Sequence, residues 1–445
     1  MSSPLELLKS GALEPFLALA FASLLIPIWV AARFGAAAAR LCLFLWPAIT
    51  LGALLLLLYL SRVVLSSVGW PVASAIGIGA YAWMLVHLAG LTAPRLRGKF
   101  YAAAVLIPGT VLTTACLLGG PLGAGAWIAW GACVSGSGRG TCQASLALGL
   151  APWFLAAGGL FSSIRPRKET VRIRPDAERP SRPQRLSFER RREVLPNRGE
   201  PGVLRVAQVT DPHLGGLWSV ARLRSMLERI AAREPDLVLL TGDLLALEGM
   251  FSPGALAQAL APLRDRPGTC FAALGNHDLD ALGEVRRALS ANGIRLLVDQ
   301  RWRVQTRVGP VEVIGIAQLR SRDFAQRPEH VRKVLAQTAA AAGAAIAYRI
   351  CLLHDPSRFA DIDPDAPGAP DLVLSGHVHG GQLGLVALGL PWTILTGTRW
   401  PDHGLWGLGR CRLYAHRGTG TFGFPLRIGV PGEESVLEIE VKATS

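Results

Sequence analysis

Two hydrophobic rhythms divide the chain. Up to about residue 163 the apolar residues form long runs, at 15–32, 41–61, 71–92, 100–119 and 145–163, each close to the roughly 20 residues a helix needs to cross a hydrocarbon core. Pro27, Pro47 and Pro108 interrupt these runs, and membrane helices tolerate proline better than soluble ones do. The alternative for the first run is a cleaved signal peptide; Pro27 and the four further runs favour an anchor. From residue 203 the apolar runs shorten to strand length, and each leads into a polar cluster and then a helical or loop stretch, as 220–233 and 323–342 are by spacing or composition. That alternation is the α/β signature. The pattern predicts an all-α transmembrane region of about five helices over 1–163, a linker over 164–200 and an α/β domain over 201–445.

Charge sharpens the division. The chain carries +14, of which residues 1–163 hold +6, segment 164–200 another +6 and the remaining 245 residues only +2. The excess therefore lies in and beside the apolar third. No basic groove with interleaved aromatics marks the C-terminal region, which argues against a nucleic-acid partner. In a five-span arrangement one side holds Arg33, Arg40, Arg95, Arg97, Lys99 and the twelve basic residues after the fifth run, against Lys9, Arg62 and Arg139 on the other. The positive-inside rule then places the C-terminal domain in the cytoplasm of an inner-membrane protein. Four spans would move the N-terminus inside instead. Segment 164–200 is rich in Arg, Pro and Glu and is expected to be a solvated tether without a packed core, able to rest on anionic headgroups of the bilayer.

Seven cysteines are too scattered for a disulfide framework. Cys133 and Cys142 share the expected outer loop, where an oxidising compartment can join them; two free thiols are the alternative.

The polar clusters carry the chemistry. VLRVAQVT leads to Asp211 and His213, DLVLLT to Asp243, TCFAAL to Asn276, His277 and Asp278, RICLL to His354, and DLVLS to His377 and His379. Each cluster alone suits a turn, a cap or a polar loop. Together they supply oxygen and nitrogen donors suited to borderline divalent metals, and strand ends in α/β sheets are where functional side chains gather.

The order D-x-H, G-D, G-N-H-D, H, G-H-x-H resembles the calcineurin-like metallophosphoesterase superfamily over about 203–440. The resemblance implies a four-layer αββα sandwich holding two divalent metals, manganese, iron or zinc. Asp211, His213 and His379 would hold the first; Asn276, His354 and His377 the second; and Asp243 would bridge them. Such a pair activates water and clamps the phosphate oxygens in an in-line displacement. His277 would serve the leaving oxygen as a catalytic residue, with Asp278 orienting its imidazole. The G-H-V-H-G-G-Q extension and the tail 417–433 resemble a membrane-associated bacterial branch that includes UDP-2,3-diacylglucosamine pyrophosphatases of lipid A synthesis. This implies an anionic, lipid-linked pyrophosphate as substrate, with the Trp-bearing segment 383–409 as a lipid-facing lip; Trp392, Trp400 and Trp406 as plain core is the alternative. Another phospholipid or a soluble phosphoester is the second enzymatic reading, and a silent membrane sensor or scaffold is a reading of another class.

Overall fold

A computed structural model describes residues 36–60, 70–90, 93–136, 138–174, 178–192, 200–319, 327–339 and 346–441. The expected first span, 15–32, lies outside them. The chain divides into two compact units, before and after Phe161/Ser162.

The first unit is helical: α1 (Ala36–Tyr59), α2 (Trp70–Gly90), α3 (Lys99–Val134, with a π-helical stretch at Ala102–Leu106) and α4 (Arg139–Ile164). Small residues let α1 and α3 approach closely; a Cβ on Gly52 would fall 1.7 Å from the Cys116 carbonyl oxygen. Among the described residues, α3 and α4 are long and apolar enough to cross a membrane, while α1 and α2 contain shorter apolar stretches, Pro47–Leu56 and Ala75–Gly90. One boundary moves. The fourth expected span, 100–119, continues as helix to Val134, because the small apolar residues of 120–134 extend it through Pro121. A disulfide joins Cys133, at the end of α3, to Cys142, at the start of α4.

The second unit is built on two seven-stranded mixed sheets. The strands are β1 (Arg167–Ile173), β2 (Gln184–Arg185), β3 (Glu189–Arg192), β4 (Val203–Val209), β5 (Leu237–Leu240), β6 (Cys270–Ala272), β7 (Arg295–Leu296), β8 (Gln300–Thr306), β9 (Gly309–Gly315), β10 (Tyr348–Leu352), β11 (Leu372–Ser375), β12 (Gly404–Leu408), β13 (Cys411–Ala415) and β14 (Glu433–Glu440). One sheet runs β3-β1-β14-β4-β5-β6-β7 and the other β2-β12-β13-β11-β10-β9-β8. Strands β4 to β7 are mutually parallel, as are β9, β10, β11 and β13. Leu204, Val206, Leu237 and Phe271 of the first sheet pack on Val313, Ile350, Leu352 and Leu372 of the second. The alternate residues Ile314, Cys351 and Val373 face outward against α8 (Arg327–Ala339), which buries Val331, Val334 and Leu335. Burial on both faces is why the strands read as unbroken apolar runs. Three further helices, α5 (Val220–Ala231), α6 (Ala255–Leu260) and α7 (Leu282–Ala291), pack on one another, with α5 beside β14 and α7 beside β7. Helix α5 buries Leu223, Met226, Leu227 and Ile230 on one stripe.

The described part of the segment expected to be a solvated tether instead supplies three strands of this sandwich. Strand β1 pairs in parallel with β14 from Arg167↔Glu433 to Ile173↔Ile439, β3 extends that sheet, and β2 edges the other sheet on β12. Val171 and Ile173 enter the core. Glu169 is buried too, 2.7 Å from Arg417 and 3.2 Å from Arg190. The Arg-rich average concealed two apolar positions at strand spacing and an acid whose partners lie far along the chain.

Candidate metal centre

Five strands, three parallel neighbours in one sheet and two in the other, deliver the candidate ligands from their C-terminal ends: β4 precedes Asp211 and His213, β5 Asp243, β6 Asn276 and His277, β10 His354, and β11 His377 and His379. Two donor groups result, Asp211 with His213 and His379, and Asp243 with His354 and His377, the donor atoms in each lying within 4.8 Å of one another. Asp243 reaches into both. Its Oδ2 is 3.2 Å from His354 Nε2 and 3.8 Å from His213 Nε2. His379 Nε2 lies 3.5 Å from Asp211 Oδ1 and 3.1 Å from His213 Nε2.

The backbone is strained to achieve this. Eight non-glycine residues among those described have positive φ, and five of them are Asp211, His213, Asp243, His377 and His379. Non-glycine residues in this region cost about 1 kcal/mol or more each, and such strain gathers at functional sites. The motif glycines allow the close approach. A Cβ on Gly275 would lie 2.1 Å from Asp243 Oδ1, and one on Gly376 2.0 Å from Asp211 Oδ2.

The donor chemistry fits divalent cations. The Thr241 carbonyl oxygen lies 2.7 Å from His354 Nδ1, so Nδ1–H donates there, and Nε2, turned toward Asp243, is the nitrogen that would hold a metal once its proton is displaced. Asn276 Oδ1 is buried without a hydrogen-bond partner, a costly state for an amide oxygen that faces no cation. Burial lowers His213 to about 3; burial and then the nearby His354 lower His377 to about 4. Burial raises Asp211 to about 7, and although burial opposes it, the Asp243 carboxylate lifts His354 to about 10. Asp243 is held below the usual carboxylate range, against burial, by His354 and His213. A cation with two positive charges relieves this crowding of buried carboxylates and imidazoles.

Asp278 does not orient the His277 imidazole. Its carboxylate is buried and accepts the amides of Asp243, Leu244 and Gly275, each at 2.8 Å. Three amides converge on it because the turns after β5 and β6 are adjacent, so Asp278 positions the Asp243 turn. His277 is held by its own amide, which donates to Asp243 Oδ1 at 2.9 Å.

Two site neighbours carry no signal in the motifs. Phe422 stacks on His213 at 4.8 Å and leans on His277 at 4.0 Å between ring centroids. Arg427 is buried beside His379, with its Nη2 2.7 Å from the Arg417 carbonyl oxygen, 2.5 Å from that of Gly420 and 3.1 Å from His379 Nδ1. The Gly418 carbonyl oxygen is also within reach of Nη2, at 3.2 Å, so a cluster of backbone carbonyls holds the guanidinium against the ring. Both residues lie in the tail 417–433, where only proximity in the fold reveals them. Of the three tryptophans after the histidines, Trp392 is exposed, Trp400 lines a cavity beside the site and Trp406 packs on the core.

A family model described as calcineurin-like phosphoesterase matches residues 204–381. An uncharacterized metallophosphoesterase of Campylobacter jejuni is 29% identical over 248 residues, 54% of this chain and 60% of that protein. The phosphodiesterase YaeI of Escherichia coli is 29% identical over 211 residues, 46% of this chain and 71% of that protein. An uncharacterized metallophosphoesterase of Aquifex aeolicus is 30% identical over 245 residues, 54% of this chain and 86% of that protein. The chain thus spans about 60% of the length of the Campylobacter relative. With its strand-end candidate ligands in the family's order and its match extending over most of the Aquifex protein, this chain belongs to the calcineurin-like metallophosphoesterase family.

Proposed function

We propose that the protein is a membrane-anchored phosphoesterase with two divalent metals, manganese, iron or zinc, that hydrolyses a phosphodiester or pyrophosphate bond in a lipid-linked substrate such as UDP-2,3-diacylglucosamine. The observation that carries the chemistry is the convergence of two donor groups on Asp243. In this reading Asp211, His213 and His379 hold one metal, Asn276, His354 and His377 the other, and Asp243 both. The metals supply Lewis acidity to the phosphoryl oxygens and acidity to a water. His277, its ring steadied by Phe422, gives a proton to the departing oxygen.

Two features support a lipid-linked substrate and an anchor. A cavity of about 330 Å³ beside His377 and His379 is lined by Ile394, Leu395, Trp400, Phe422 and Phe424, an apolar wall suited to an acyl chain. Helices α3 and α4 are apolar enough to span, and the disulfide between them suits an oxidising compartment. The far end of α4 would then face a reducing one, so we place the C-terminal unit at the cytoplasmic face of a five-span bacterial inner-membrane protein.

Phosphorus NMR of the manganese-loaded protein in detergent tests the reading, with UDP-2,3-diacylglucosamine beside an aryl phosphodiester. Release of UMP and the acylated sugar phosphate by wild type but not by Asp243→Ala is expected. Cleavage of the aryl diester alone would discard the lipid nucleotide and keep the chemistry; inactivity on both would overturn the enzyme reading.

A further inference from the structure

Two surface features of the C-terminal unit lie outside the metal centre. The first is a cleft of about 530 Å³ lined by Arg165, Arg167, Lys168, Trp218, Arg222 and Arg229. Glu434 is the one acid in its lining, and it is committed to Arg229 at 2.8 Å and Arg233 at 3.3 Å. Arg222 sits in the first turn of α5, three residues after the N-cap Ser219, where a cation opposes the helix dipole. Burial lowers its pKa. Both costs fall when an anion occupies the cleft.

The second is an apolar loop. Among the described residues of 162–445, nine large apolar side chains are exposed, and Leu385, Leu388, Leu390, Trp392 and Ile394 are five of them. Leu388 is 75% exposed. Such clustering in ten residues marks a surface that is covered in use.

Arg167 joins the two. It lines the cleft, and its Nη2 donates to the Ala387 carbonyl oxygen at 3.2 Å, inside the apolar loop. It also follows Ile164, the last residue of the membrane-length helix α4, by three positions. Arg and Lys beside exposed Leu and Trp is the residue mixture that settles at a lipid–water interface.

We infer that this combined face is a docking surface for an anionic bilayer, in which the basic cleft takes a lipid phosphate and the loop 385–394 enters the acyl region. Ile394 belongs both to the loop and to the cavity beside His377, so a docked loop joins the bilayer to the site without passage through water. The inference rests on the anchoring proposed above.

The test uses the full chain in nanodiscs, in a Cys42→Ser background, with an environment-sensitive fluorophore on Leu388→Cys, on Leu155→Cys within α4 as the membrane reference, or on the exposed Gln337→Cys as the aqueous one. Acyl-brominated lipids in discs containing phosphatidylglycerol should quench the labels at 155 and 388 by about twofold or more and spare 337. Quenching at 388 should disappear in discs of phosphatidylcholine alone and in Lys168→Glu/Arg222→Glu. Quenching at 155 without 388 overturns the docking surface and leaves the anchor standing; quenching at neither overturns both. If quenching at 388 ignores lipid charge, or if inorganic phosphate raises the Tm of wild type but not of the charge-reversed protein while lipids have no effect on 388, the cleft is a site for free phosphate or none.

Discussion

The two units place their large apolar side chains in opposite ways. The helical unit turns Phe100, Ile128, Phe154 and Phe161 outward, as a helix facing hydrocarbon does. The sheet unit hides Leu204, Leu237, Phe271, Ile350 and Leu372 between its sheets and, among its described residues, leaves one dense exposed patch, at 385–394. Hydrophobicity in the first unit therefore reports length but not register. In the second it reports register, because each strand of one sheet must meet the other and must end where its polar cluster begins. A strand end is thus a coordinate, and here five of them place the candidate ligands.

Removing the residue on which the two donor groups converge breaks this most severely. Asp243→Ala should lower phosphodiesterase activity by about a thousandfold or more, the scale of losing a group that organises transition-state charge, in a steady-state assay with an aryl diester. A residual activity within tenfold of wild type would mean the strand ends do not share a centre. Next, Val171→Asp puts a charge between the sheets and should cost at least about 3 kcal/mol, seen as loss of the folded C-terminal unit in limited proteolysis. A solvated tether would tolerate the change.

Asp278→Asn separates positioning from proton transfer. An amide offers one acceptor oxygen to three backbone amides, so the Asp243 turn loosens and metal affinity should fall about 10- to 100-fold, measured by competition with a chelating dye. The acidic limb of the kcat profile should keep its midpoint, which a proton-transfer role for Asp278 would shift.

The smallest effect concerns Asp402, which ties the loop at Thr393 to the start of β12. Burial alone would raise Asp402, but His403, Thr393 and Arg185 hold it at about 2, and Thr393 Oγ1 donates to it at 2.6 Å. A depressed carboxylate stabilises above its unfolded pKa of about 4 and loses that contribution as pH falls through the folded value. Asp402→Asn should therefore lower Tm by a few degrees at pH 7, and thermal melts should show the gap closing between about pH 4 and pH 2.

Much of this was legible along the chain. The runs before Asp211, Asp243, Asn276, His354 and His377 became β4, β5, β6, β10 and β11, and the spacing at 220–233 became α5. What escaped depends on partners far away in sequence. β1 and β14 pair across more than half the chain, and Glu169 is tolerable inside because Arg417 and Arg190 meet it. Phe422 and Arg427 belong to the site through the path of the tail rather than through a motif. The role of Asp278 escaped because adjacency to His277 in sequence does not say which way a side chain turns; here it turns to the amides of Asp243 and Leu244.

The most direct test of the central claim counts metals. The chain, stripped with chelator and reloaded with manganese, should bind two ions by plasma mass spectrometry and give an exchange-coupled EPR spectrum, with His354→Ala reduced to one uncoupled ion. One ion in wild type, or two without coupling, would contradict a shared centre bridged by Asp243.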